Sequence, residues 1–475
     1  MTEYFKPIIQ FLGATSTVTG SKTALLVGHE PEDRLIVDCG LFQGLKELRL
    51  RNWNAFPLDP GSIGSILLTH GHLDHCGYLP RLVKSGFSGK IYCTPATAKI
   101  AEIILMDSAH LQEEEADYAN KKGFSKHSPA LPLYTSQDAR RAIDLLRPVS
   151  KEKPFSIGSK FTVSYHEAGH ILGSSSIRIN LENKGSILFS GDLGRYGAPI
   201  FPNPASYSDI DWVVMESTYG DRLHQDADAF ATLADVVNSA MEREGVLLIP
   251  AFALGRTQLL LYALRQLKSM KAIEDIPIYI DSPMAIKVTE IHNDFEETFN
   301  TESRYLADVG EQPLVPSNLH VYQSVEQSKS LNNLKSRAII ISASGMATGG
   351  RILHHLANRL PQKENTVLFI GYQAIGTRGR TILNGEPRVK IHGQMIPIRA
   401  SIESIDGFSS HADRDELMIW LKKFDRSPSR IFLNHGEPDA LTALGNFIRN
   451  ELNISITIPE YMESFECFPN VGFRG

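Results

Sequence analysis

Short apolar runs punctuate the chain, and most end on a turn carrying glycine, aspartate or histidine. Leu35-Ile36-Val37 leads into Asp38-Cys39-Gly40, Ser65-Ile66-Leu67-Leu68 into Thr69-His70-Gly71-His72-Leu73-Asp74-His75, and Ile187-Leu188-Phe189-Ser190-Gly191 into Asp192. Runs of this length, bounded by turn formers, predict buried strands that deliver the following residues to a sheet edge. Lys90-Ile91-Tyr92-Cys93 and Phe161 to Tyr165 predict further strands. Between them, Ala96 to Asn120 carries Ile100, Ile103, Ile104 and Met106 in a helical pattern, with Glu113-Glu114-Glu115 as its solvated end. From Asp209 onward strand-like and helix-like stretches alternate. Trp212-Val213-Val214-Met215, Val246 to Pro250, Pro277 to Ile280, Ala338 to Ile341 and Thr366 to Ile370 read as strands. Asp228 to Glu244, Thr257 to Leu267 and stretches starting near Ser282 and at Arg351 read as helices. That rhythm predicts a parallel sheet with helices on its faces.

The strand ends carry chemistry. His70, His72, Asp74 and His75 fall within six residues directly after a strand, where open α/β sheets build their sites. Imidazoles and a carboxylate suit Zn²⁺ or a similar borderline cation. A His-rich surface loop would account for two histidines, but not for three with an aspartate at this spacing. His170, in His166-Glu167-Ala168-Gly169-His170, and Asp192 continue the series. His70, His72 and His170 suffice for one metal, Asp74 and His75 for a second, with Asp192 between them. Two such metals about 3.5–4 Å apart clamp the attacking and leaving oxygens of a phosphoryl transfer.

Composition narrows the class. A chain of 475 residues exceeds one ordinary core and predicts two or three domains. Apolar residues at 42% and charged residues at 21% describe a globular protein. No run of about 18 apolar residues is present, so no membrane span is expected. Residues Met1 to Gly20 lack the layout of a signal peptide. Cys39, Cys76, Cys93 and Cys467 show no paired spacing and read as reduced thiols of a cytoplasmic protein, with Cys39 and Cys76 as small packing residues beside the metal motifs.

The net charge of −6 argues against a nucleic-acid partner until it is divided. Lys335 to Ala400 holds ten Lys or Arg against Glu364 and Glu386, hence +8, which leaves −14 for the remainder. A basic zone on an acidic body attracts a polyanion locally. Three glycine-containing turns lie in or near that zone: Ser342 to Gly350, Gly255-Arg256-Thr257, and Gly376-Thr377-Arg378-Gly379-Arg380. Glycine lets backbone N–H groups approach an anion, and a following helix adds its dipole. Arg256, Thr377, Arg378 and Arg380 are the phosphate-binding candidates of these turns.

Taken in order, Asp38, the His70–His75 run, His170 and Asp192 resemble the first four motifs of the metallo-β-lactamase superfamily. Met215-Glu216-Ser217-Thr218-Tyr219-Gly220, Ser344-Gly345-Met346, Gly371-Tyr372-Gln373-Ala374-Ile375-Gly376-Thr377-Arg378-Gly379-Arg380, Phe408-Ser409-Ser410-His411-Ala412-Asp413 and Asn434-His435-Gly436-Glu437 resemble its β-CASP branch of nucleases. The resemblance covers nearly the whole chain and is closest to the compact prokaryotic type. It implies an α/β fold: an αββα metallo-β-lactamase sandwich at 1–208, interrupted by a β-CASP domain at 209–392 and completed at 393–475. It implies a ribonuclease that hydrolyses phosphodiester bonds with water activated between two metals, leaving 5′-phosphate and 3′-hydroxyl.

By resemblance, Asp74 ligates one metal and orients the attacking water. His411 is the general acid, oriented by Glu216, and His435 completes the second metal's ligands. Asp38 supports the metal-bound histidines from behind by a hydrogen bond. Ser344, Gly345 and Met346 match a turn near the substrate's 5′ end. The implied cofactors are two Zn²⁺ per chain, with Mn²⁺ or Mg²⁺ as alternatives. The implied partner is single-stranded RNA, RNA being favoured over DNA by the histidine at 435, and the pattern leaves room for a homodimer. Two other readings use the same first motifs: a hydrolase of small thioesters or esters, and a catalytically silent RNA-binding subunit. The first gives no reason for the basic insertion or His411; the second would be expected to have lost metal ligands, and all seven are present.

Overall fold

The computed structural model describes residues 6–123, 127–224, 228–371, 373–374 and 376–468. Tyr372 and Ile375, quoted above among the motifs, lie outside that set. The chain divides into two compact units. One comprises 1–198, 202–223 and 411–475; the other comprises 199–201 and 224–410. The boundaries expected at 209 and 392 differ from these, and strand pairing gives the reason. Trp212–Met215 pairs in parallel with Gly185–Phe189 and Arg430–Leu433, whereas Ser401–Ile405 pairs with Thr366–Ile370. Neither apolar run states which sheet it joins.

In the first unit the described residues form two seven-stranded sheets. One runs Ser464–Glu466, Ile8–Phe11, Thr23–Leu26, Arg34–Val37, Ser65–Leu67, Lys90–Cys93, Leu146–Pro148. The other runs Ser455–Thr457, Arg430–Leu433, Trp212–Met215, Gly185–Phe189, Ser175–Leu181, Phe161–Glu167, Phe155–Ile157. Alternate side chains of each strand serve different layers. Leu35, Val37 and Leu67 meet Val163, Ile177, Phe189 and Phe432 in the core between the sheets. Ile36, Ile66 and Ile91 point the other way, onto Leu79, Leu82, Ala101 and Leu105 of the helices. Val213, Met215 and Ile431 do the same on the second sheet, beneath Leu417, Trp420, Leu444 and Ile448. The result is four layers, αββα.

The helix read at Ala96 to Asn120 spans Pro95–Lys122. Thr94 Oγ1 accepts from Thr97 N, proline takes the first turn and Gly123, at φ 68°, ends it. Glu113-Glu114-Glu115 therefore lies inside the helix and is not its end. Glu113 accepts hydrogen bonds from Ser136 N and Oγ, fastening the next helix, Ser136–Ile143.

The second unit carries a six-stranded sheet, all pairs parallel: Leu319–Val321, Ile278–Ile280, Ala338–Ser342, Val246–Pro250, Thr366–Ile370, Ser401–Ile405. Its central strands are buried along their whole length. Helices cover both faces, so these strands read as continuous apolar runs without alternation.

Candidate metal centre

The site of the first unit is assembled at the carboxyl ends of strands from both sheets. Arg34–Val37 delivers Asp38, Ser65–Leu67 delivers the His70–His75 run, and Gly185–Phe189 delivers Asp192. His170 follows Phe161–Glu167, Glu216 follows Trp212–Met215, and His435 follows Arg430–Leu433. Asp38 and His435 hold left-handed backbone conformations, φ 59° and 51°, which non-glycine residues adopt at a cost and which recur at functional sites. Gly40 permits the close approach of the Asp38 turn: a Cβ there would lie 1.5 Å from the carbonyl oxygen of Asp74.

Two groups of side chains converge. In the first, His70 Nε2 stands 3.0 Å from His72 Nδ1, and His170 Nε2 stands 3.4 Å from the same atom. Asp192 Oδ2 lies 3.4 Å from His70 Nε2 and 3.7 Å from His170 Nε2. In the second, His75 Nε2 is 3.2 Å from His435 Nε2, which is 3.4 Å from Asp74 Oδ2. Asp192 Oδ1 faces this group, 3.3 Å from His75 Nε2 and 3.6 Å from His435 Nδ1. The seven residues read from the sequence thus fall into His70, His72, His170 and Asp192, and Asp74, His75 and His435.

These groups fit metal ions. Two nitrogens each about 2.0–2.1 Å from a tetrahedral Zn²⁺ stand about 3.3–3.4 Å apart, close to the separations here. Buried Oδ1 of Asp192 has no hydrogen-bond partner, a cost that a cation between it and the imidazoles removes.

Behind the ligand atoms, Asp38 Oδ2 binds His75 Nδ1 at 2.7 Å and fixes which nitrogen turns inward. Thr69 N donates to Asp38 Oδ1 at 2.8 Å, and Thr69 Oγ1 lies 3.0 Å from His70 Nδ1. Thr69 joins Asp38 to two imidazoles, a role that nothing in its sequence context announces. Glu216 is held by Leu193 N and lies 3.2 Å from His411 Nδ1. His411 Nε2 is 4.0 Å from Asp192 Oδ2. The neighbouring Asp413 caps the helix Arg414–Lys422, accepting from Glu416 N at 2.9 Å, and Gly194 bridges to His411. His166, four residues before His170, is engaged by Glu152 and Ser164 and belongs to neither group.

Electrostatics separates the histidines. Burial lowers the His70 imidazole well below its usual range and His72 to about 4, so both keep a lone pair at neutral pH. Burial opposes charge at His75 too, but Asp192 and Asp38 outweigh it and raise its pKa well above the usual value. Burial also works against the Asp74 carboxylate, yet the hydrogen bond from His435 and the charge of His75 bring it to about 2. Asp192 is held well below the usual range: burial opposes its charge, and His435, His75 and His70 overcome that. His75 is therefore an imidazolium at pH 7 without metal and must lose its Nε2 proton to ligate. Zinc uptake should release roughly one proton per chain near pH 7, and affinity should fall as pH is lowered. Calorimetric titration of the apoprotein in buffers of different ionisation enthalpy reads this directly; equal apparent enthalpies in all buffers would contradict it.

The turns of the second unit lie at the carboxyl ends of three neighbouring strands, Ala338–Ser342, Val246–Pro250 and Thr366–Ile370. Several of their side chains hold the turns themselves. Ser344 Oγ accepts from Thr348 N at 3.0 Å. Thr377 Oγ1 caps the helix Arg378–Leu383 and donates to Ala374 O. Arg378 donates to Thr348 O and Lys390 O, and Arg256 Nη1 to Ile370 O at 3.4 Å. Gly379 N donates to Met346 O, and Gln373 Nε2 to Gly345 O, so two of the turns pack together. The basic zone is also smaller than its count of ten. Arg337 pairs with Glu274, Arg351 with Asp281, and Arg359 is buried on Leu331 O and Leu334 O. With Arg378 committed to carbonyls, Arg380 and five exposed cations, among them Arg388 and Arg399, remain to meet an anion.

Comparison with known proteins agrees with this architecture. A sequence profile described as the metallo-beta-lactamase superfamily matches residues 18–235, one described as the Beta-Casp domain 257–382, and one described as a Zn-dependent metallo-hydrolase RNA specificity domain 395–459. The chain is 35% identical to "Ribonuclease TTHA0252" of Thermus thermophilus over 92% of its own length and 94% of that protein. It is 31% identical to "Transcription termination factor FttA" of Methanosarcina mazei, over 89% of this chain and 66% of that one. A solved structure, described as a protein of unknown function from Enterococcus faecalis V583, superposes with a TM-score of 0.54 at 15% identity, covering 97% and 99% of the two chains. That likeness concerns the fold alone.

Proposed function

This chain belongs to the β-CASP family of the metallo-β-lactamase superfamily, and we propose from that premise that it is a zinc-dependent ribonuclease. It hydrolyses phosphodiester bonds of single-stranded RNA, leaving 5′-phosphate and 3′-hydroxyl. The observation that carries the reading is His411 beside Glu216. A hydrolase of small esters needs the metal ligands but has no use for an imidazole anchored by a buried carboxylate at 3.2 Å. The RNA specificity match over 395–459, which includes both His411 and His435, supports RNA as the substrate.

Two zinc ions would be held by His70, His72 and His170 and by Asp74, His75 and His435, with Asp192 common to both. Bound there, they would supply a nucleophilic water at neutral pH and neutralise charge on the scissile phosphate. The residues of this chain do the rest. Asp74 orients the attacking water through its carboxylate. Asp38 keeps His75 in the tautomer whose Nε2 faces inward. Glu216 holds His411 Nδ1, so that Nε2 carries the proton required by the departing 3′ oxygen. In the second unit the exposed cations, among them Arg388 and Arg399, are available to phosphates of the RNA backbone.

The test uses 5′-labelled single-stranded RNA and the matched DNA, with wild type beside His411→Ala. Wild type should cut the RNA and spare the DNA. His411→Ala should lower kcat by about 10²-fold or more while both zincs stay bound, because His411 is not counted among the ligands. Loss of zinc from His411→Ala would overturn the division of roles, and equal cutting of DNA would overturn the substrate.

A further inference from the structure

The loop that leaves the Asp38 turn carries a surface that the metal site does not use. Leu41 N donates to Leu73 O, and Thr19 Oγ1 donates to Leu41 O, tying the loop to the helix of His75. Asn52 closes it, its side chain bonded to both Phe42 N and Phe42 O. Between these anchors the short helix Lys46–Arg51 projects from the unit with none of its residues buried. Leu45, Leu50 and Trp53, on this one short stretch, are 60%, 54% and 51% exposed, against the usual burial of such residues.

The apolar groups are interleaved with cations. Arg51 lies with its guanidinium 4.4 Å from the Tyr461 ring and 5.5 Å from Phe42. Beneath it Lys22 and the Phe42 and Tyr78 rings are buried and support the layer, Lys22 Nζ lying 4.3 Å from the Phe42 ring and 5.0 Å from Tyr78. Lys46 and Arg49 are exposed on the helix, with Glu47 the one acid among its residues. Among the described residues neither cation has a carboxylate within salt-bridge distance. An exposed indole and unpaired cations on one short stretch suit a single-stranded nucleic acid: a base stacks on the ring, and phosphates meet the charges. A protein partner would be expected to match the leucines and leave fewer bare cations.

We infer that the Leu45–Trp53 projection is a binding surface for single-stranded RNA at the rim of the metal site, with Trp53 as a base-stacking ring and Lys46 and Arg49 as phosphate contacts. The inference rests on the ribonuclease reading and adds to it the surface along which the strand approaches. Trp53 is half exposed and the two cations are exposed, and none of the three belongs to the buried core of the unit.

The experiment is a fluorescence anisotropy titration of zinc-loaded protein with a hydrolysis-resistant 2′-O-methyl single-stranded RNA at several salt concentrations. Trp53→Ala should weaken binding about 10-fold, one stacked base. The double variant Lys46→Ala, Arg49→Ala should weaken it and make log Kd against log salt shallower by roughly 1–2. Variants that bind as wild type does would overturn this surface while leaving the ribonuclease reading in place. A wild type that holds no RNA would remove both. A Trp53→Ala protein that loses a dimer seen by sedimentation but keeps its RNA affinity would assign the surface to a second copy of the chain and overturn the inference.

Discussion

Asp192→Ala should strip the metal centre of zinc and take RNA hydrolysis below detection. Asp192 is buried, and its two oxygens face opposite groups: Oδ2 toward His70 and His170, Oδ1 toward His75 and His435. No other carboxylate among the described residues touches both groups. Without it five imidazoles, His70, His72, His75, His170 and His435, face one another with no carboxylate set between the two groups. Metal-ion catalysis supplies several kcal/mol of charge stabilisation, so losing it costs at least about 10³-fold in rate. Elemental analysis of the purified variant, beside its activity on labelled RNA, measures both effects. An Asp192→Ala protein that holds two zincs and turns over would contradict the bridging position.

The second large effect is on stability. Asp281 is fully buried at the end of the strand Ile278–Ile280 and accepts hydrogen bonds from three side chains: Ser328 Oγ at 2.6 Å, His355 Nε2 at 2.6 Å and Arg351 Nη1 at 2.7 Å. Asp281→Ala leaves His355 buried with neither nitrogen bonded, since its Nδ1 already lacks a partner. It also leaves the Arg351 cation half-enclosed. Breaking a buried pair from one side costs about 3–5 kcal/mol, so the guanidinium-induced unfolding midpoint should drop accordingly. A change below about 1 kcal/mol, the scale of an exposed pair, would contradict the network. Burial opposes the charge on Asp281, but the hydrogen bonds from His355, Ser328 and Arg351 hold its pKa below the usual value. A depressed carboxylate contributes fully above its unfolded pKa of about 3.9, and that contribution is lost as pH falls through the folded value. Wild type should therefore lose stability below about pH 4 more steeply than Asp281→Ala. Arg351 opens the helix after the Ser342–Gly350 turn, so the network also sets where that turn sits.

How much of this was legible beforehand varies by element. Strands such as Ala338–Ser342 and Thr366–Ile370 were legible because both faces are buried and their apolar runs are unbroken. Ser401–Ile405 was not, since at the sheet edge it alternates apolar and polar residues and could join either unit. The Glu113 patch reads as solvent-facing by composition; only the position of Ser136 turns one of its carboxylates into an anchor.

By itself the sequence offered His70, His72, Asp74, His75, His170 and Asp192, at or after strand ends, as candidate ligands, and the family resemblance added His435; the fold brings these seven side chains together. The alternation of strand-like and helix-like stretches from Asp209 onward predicted the parallel sheet flanked by helices, whereas the αββα layering was implied by the family resemblance. Tertiary structure alone decided that Thr69 links Asp38 to two imidazoles, and that Arg351, Arg359 and Arg378 serve the fold instead of an anion. The physical reason is the same in each case. Sequence spacing records the local period of a strand or helix, whereas hydrogen-bond partners distant in sequence are set by how the elements pack, and a guanidinium is equally able to bind a phosphate or a backbone carbonyl.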